Sequence, residues 1–112
     1  MEISIAVSAL SALAQESRLE IFRFLVQAGK NGVPAGTIAQ RLDLPPSTLS
    51  FHLNQLKQAG LIECRRESRT LFYSANYDSM NGLLVYLTEN CCQGQTENCD
   101  LPSVCAPESS RD

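Results

Sequence analysis

The sequence predicts a mainly α domain with a small β-hairpin, five helices in all. Three observations predict it. Apolar residues recur at helical spacing in five segments, near residues 1–13, 17–28, 34–41, 47–59 and 78–90. Gly29, Gly32, Pro45, Pro46 and Gly60 fall between them, where breakers belong. After Gly60 the apolar period drops to about two, the repeat of a half-buried strand.

The first segment carries Ile3, Ile5, Ala6, Leu10 and Leu13 at roughly helical spacing. The second opens on Ser17, a capping residue type, and sets Leu19, Phe22, Leu25 and Val26 on one face. Pro34 starts a short third helix with Ile38, Ala39 and Leu42 inward. Residues 43–46, Asp-Leu-Pro-Pro, make a turn, because a proline disfavours helix at the residue before it. The fourth helix follows with Leu49, Leu53 and Leu56 as a narrow apolar stripe. Residues 61–66 and 70–74 read as two strands joined by Glu67, Ser68 and Arg69. The last helix places Met80, Leu83, Leu84 and Leu87 at i, i+3, i+4 and i+7. Two short helices around a tight turn, then a hairpin, make a winged helix-turn-helix. Residues 1–90 form this domain, and residues 91–112 are a polar, aperiodic tail.

A chain of 112 residues with 44% hydrophobic and 19% charged residues has the composition of one globular domain, not of a disordered chain. No apolar run reaches the roughly 18 residues of a membrane span. The apolar opening has Glu2 where a secretory signal needs a basic residue, and Ser4, Ser8 and Ser11 interrupt it. The expected location is the cytoplasm, with no membrane partner. Five cysteines are then free thiols rather than a disulfide framework. Four of them, Cys91, Cys92, Cys99 and Cys105, crowd the tail, while Cys64 sits alone on a strand.

The net charge of −3 is unevenly spread: residues 1–36 are neutral, 37–75 carry +2 and 76–112 carry −5. A basic middle suits a polyanion whatever the total. A helix about 10–12 Å wide fits the major groove of B-DNA, about 12 Å across. On the fourth helix Ser47, Thr48, Ser50 and His52 are short donors and acceptors, with Asn54 and Gln55 further along. Arg65, Arg66 and Arg69 tip the hairpin within reach of phosphates or the adjacent minor groove. These nine residues are the candidate contacts to double-stranded operator DNA. The pattern leaves open whether Ser47 and Thr48 cap their helix, and whether His52 packs against a neighbouring helix. Ile3, Ile5, Leu10, Leu84, Val85 and Leu87 exceed what a core this small can cover, which predicts a two-fold homodimer and a palindromic site.

The run from Thr48 to Ile62, with its Ser-x-His-Leu and Ala-Gly-Leu elements, resembles the recognition helix and first wing strand of the ArsR–SmtB family of bacterial metal-responsive repressors. Residues 14–25 resemble that family's second helix, and the likeness extends over roughly residues 8–90. Phe51 stands where a polar or basic residue is common in the family. The resemblance implies five helices, a symmetric homodimer, repression in the metal-free state and release from the operator when an inducer binds.

The ligands on hand narrow the inducer. A carboxylate–imidazole zinc site on the last helices needs histidines, and the chain has one, His52. No cysteine precedes Cys64, so N-terminal thiol sites for cadmium or lead are absent, as is the Cys-x-Cys-x-x-Cys set of some arsenic repressors. Three thiolates suit trivalent arsenic, or antimony like it, which keeps a lone pair on its fourth side. Zinc takes four ligands. Some arsenite-responsive members of the family place a Cys-Cys pair and a third cysteine after the last helix, and Cys91, Cys92 and Cys99 match that order. Cys105 is the alternative third ligand. Lengthening the loop from 7 to 13 residues costs only about 0.5 kcal/mol, so entropy favours Cys99 without deciding it. Cys64 reads as a buried or bystander thiol.

A redox-responsive repressor using the same cysteines is the competing expectation, though Glu89, Glu97 and Asp100 nearby do not favour low thiol pKa values. An enzyme is not expected: one histidine, no Cys-x-x-Cys and no glycine-rich phosphate loop leave little to catalyse with.

Overall fold

The computed structural model describes residues 1–91. The elements follow in the order α1 (Ile3–Leu13), α2 (Glu16–Ala28), β1 (Val33–Pro34), α3 (Ala35–Leu42), α4 (Pro46–Gln58), β2 (Ile62–Glu67), β3 (Thr70–Ala75) and α5 (Tyr77–Thr88). Helices α3 and α4 form the helix-turn-helix, and β2 and β3 form the wing. The expected architecture of five helices and a hairpin is present, with one addition: β1 pairs antiparallel with β3, so the sheet order is β1-β3-β2.

The core lies where α2, α3, α4 and the start of β2 meet. Ile21, Leu25, Ile38, Leu49, Leu56 and Leu61 are its largest fully buried side chains. Leu25, Ile38, Leu49 and Leu56 come from predicted apolar stripes, whereas Ile21 takes the inward place on α2 expected of Leu19, which is exposed, and Leu61 lies just past the Gly60 break. Gly60 takes a φ of 79°, a left-handed conformation that glycine adopts without penalty. Asp43 ends α3 in the same region, with φ 55°, and turns the chain into α4.

Three more local expectations need correcting. Ser17 does not cap α2; the Gln15 side chain accepts from the Arg18 amide at 2.9 Å, and Ser17 lies inside the first turn. The wing turn is two residues, Ser68 and Arg69, because Glu67 already pairs with Thr70. On α1 the inward residues are Ala6, Ala9 and Ala12, while Ile3, Ile5, Val7 and Leu10 are exposed. Alanine wins the inward face because small side chains let the helix lie close to α2 and α4.

Helix α5 is fixed at its start. The Asn76 side chain accepts from the Ser79 amide at 3.1 Å, and the Tyr77 hydroxyl donates to the Val26 carbonyl at 2.8 Å. Its Leu83 is buried, while Val85 and Leu87 are exposed. No helix among the described residues is long and apolar enough to cross a membrane.

Candidate nucleic-acid interface

Helix α4 starts on Pro46, whose missing N–H would have had no partner in the first turn. No side chain caps it, so Ser47 and Thr48 are not capping residues. Both are exposed, as are Ser50 and Asn54; Gln55 is half-buried. Leu49, His52, Leu53 and Leu56 face the core. The helical phase therefore collects Ser47, Ser50, Phe51 and Asn54 on the outward side, about opposite the leucine stripe.

His52 does not join them. It is only 8% exposed and lies against α2, where Nδ1 is 3.3 Å from an Arg18 guanidinium nitrogen. Arginine can only donate, so Nδ1 accepts and the neutral ring carries its proton on Nε2. Burial, then the Arg18 charge, hold the His52 pKa below its usual value. Arg18 also donates from Nε to the Ala12 carbonyl at 2.6 Å. One guanidinium thus ties the end of α1 to the back of α4. The sequence expectation that His52 reads DNA meets a geometry that turns it inward, the packing role left open above.

The wing arginines divide as well. Arg65 pairs with Glu67 at 2.9 Å, donates to the Asn31 carbonyl at 3.1 Å and lies over the Phe72 ring at 5.1 Å. Arg66 and Arg69 are exposed and, among the described residues, have no hydrogen-bonded or ionic partner. Between α4 and the wing runs an open cleft of about 440 Å³ lined by Ser50, Phe51, Leu53, Asn54, Lys57 and Tyr73. Tyr73 could not be singled out from the sequence, because only the folded-back wing brings β3 beside α4, whereas Lys57 lies on α4 itself, three residues beyond Asn54. Tyr73 sits opposite Cys64 across the strands. Burial, and then the neighbouring Cys64 thiol, raise its hydroxyl pKa. The arrangement is a polar, partly basic ridge flanked by a basic hairpin, a shape that lays a helix in the major groove and arginines on the backbone.

Known proteins agree with this geometry. The family HTH_20, a helix-turn-helix domain, matches residues 13–65. The chain is 35% identical over 88 residues to the transcriptional activator HlyU of Vibrio cholerae, covering 79% of each chain. It is 37% identical over 81 residues to the arsenical resistance operon repressor of Bacillus subtilis, covering 72% of this chain and 73% of that one. The chain belongs to the ArsR family of winged helix-turn-helix regulators. Among solved structures, the homodimeric winged helix-turn-helix DNA-binding domain Mb0332 of Mycobacterium bovis, a possible ArsR-family regulator, superposes with a TM-score of 0.64 at 25% identity, covering 90% of each chain. This ArsR-family chain is a DNA-binding transcriptional regulator, not an enzyme.

Of the expected metalloid ligands in this regulator, only Cys91 is described. It is half-buried, and Asn90 before it takes a left-handed φ of 59°. Cys92, Cys99 and Cys105 lie outside the described residues. Among the described residues no three ligating side chains converge. The donor set that the sequence supplies is all sulfur, which fits a soft three-coordinate centre.

Proposed function

We propose that the chain is a homodimeric repressor that holds operator DNA when metal-free and lets it go when trivalent arsenic, or antimony, binds Cys91, Cys92 and Cys99. The observation that carries the reading is the position of Cys91. It follows within three residues of the end of α5, whose exposed Val85 and Leu87, with Ile3, Val7 and Leu10 of α1, make the apolar surface a second copy would cover. A ligand that draws the tail onto that helix end acts directly on the dimer interface. The similarity to an arsenical resistance operon repressor and to a homodimeric neighbour supports both halves of the proposal.

The binding step is a condensation: three As–O bonds of arsenous acid and three S–H bonds break, three As–S bonds form, and three waters leave behind a neutral pyramidal arsenic tris(thiolate). A tenfold loss of DNA affinity requires about 1.4 kcal/mol of coupling, and DNA weakens arsenite binding by the same factor. The test is titration of reduced protein with arsenite, counting metalloid per chain in the wild type and each Cys→Ser variant. One equivalent per chain, lost in Cys91→Ser and Cys92→Ser with DNA binding retained, is expected. An operator fragment that stays bound at saturating arsenite overturns the reading. Release by peroxide alone would instead favour a redox-responsive regulator using the same thiols.

A further inference from the structure

Phe51 has no task in the fold. It is 58% exposed at the crest of α4, with Ser47 one turn before it and Asn54 one turn after on the same outward side. Its only described ring contact is edge-on to His52, 5.6 Å between centroids. The face that bears it is remote in helical phase from the leucine stripe, and it lies on a different element from the apolar surface of α1 and α5. We propose that Phe51 is a specificity-determining residue that reads a thymine methyl in the major groove. This rests on the DNA-reading role of α4 and goes beyond it by naming what one position recognises.

The chemistry narrows the occupant. A phenyl ring has no donor or acceptor, so it gains nothing from a phosphate oxygen or from the hydrogen-bonding edge of a base. The one apolar group that a base pair presents in the major groove is the C5 methyl of thymine. Ser50 and Asn54 beside the ring supply the polar contacts that flank it, and Lys57 at the edge of the same cleft supplies charge for the backbone. Entering the groove removes apolar ring surface from water that the isolated protein leaves exposed. A polar residue at this place would carry a different base preference.

The test begins with duplexes that the full-length wild-type protein selects from a random library. Each thymine of the selected site is then replaced singly by deoxyuridine, which keeps the pairing and deletes only the methyl. One thymine per half-site is expected to cost about fourfold in affinity when so replaced, the worth of one buried methyl. Phe51→Ala should bind the thymine and deoxyuridine duplexes alike, and Phe51→Leu should keep part of the difference. Wild-type protein indifferent to every replacement, or Phe51→Ala showing the full penalty, overturns the proposal while leaving DNA reading intact. Failure to select any sequence removes the reading of DNA itself, and this proposal with it.

Discussion

Arg65 and Arg66 are neighbours in sequence and opposites in use. Strand alternation sends them to different faces of the wing, and only Arg65 is engaged, by Glu67, the Asn31 carbonyl and the Phe72 ring. Arg66→Ala and Arg69→Ala should each weaken DNA binding about uniformly across sequences and reduce the slope of log affinity against log salt by about 1. Arg65→Ala should change that slope less and cost under about 1 kcal/mol of stability, as an exposed pair does; the two slopes from a salt titration check the division. His52 makes a second prediction at this scale. Its pKa is lowered in the folded chain, so below about 6.5 the unfolded chain binds a proton there that the folded one refuses. The stability it confers is complete above that pH and is lost as pH falls toward the depressed folded value. His52→Asn, which can still accept from Arg18, should flatten the pH dependence of the unfolding midpoint across that window. An unchanged slope would mean the ring is not held neutral.

At the scale of elements, the joint between α2 and the sheet is the most constrained point. Gly32 has φ 85°, and a Cβ there would lie 3.1 Å from the Tyr73 carbonyl oxygen and 3.2 Å from the Phe72 Cβ. Gly32→Ala should therefore destabilise the fold by about 2 kcal/mol, from left-handed strain and from β1 being pushed off β3. A fall in the denaturant midpoint at constant m-value would show it. Most of the elements were legible in the sequence because glycines and prolines punctuate them, and the observed helix ends lie within a few residues of the expected ones. Strand β1 was not. Two residues cannot show a period, and Val33 and Pro34 become a strand only because β3, some 40 residues on, lies beside them. The interface was legible by type but not by direction: a serine, a histidine and an asparagine within eight residues look alike in a sequence, and only the leucine phase turns His52 inward. Nothing in the sequence pairs it with Arg18, because that contact joins helices 34 residues apart.

For the whole molecule, the apolar stripe Ile3, Val7 and Leu10 with Val85 and Leu87 is the surface by which two copies would associate. Leu10→Glu together with Val85→Glu should yield a monomer in sedimentation, still folded by circular dichroism, with the DNA affinity of one half-site. A retained dimer would place the contact elsewhere. The sheet is arranged to leave that job to the helices. Its short outer strand β1 ends at Pro34, which has no N–H to offer, and the other edge, β2, carries Glu63, Arg65, Arg66 and Glu67. A stray strand from another chain finds no ladder to extend on one side and a charged border on the other. Crowding along a chromosome should therefore bring these molecules together through their helical flank and not zip them into fibrils.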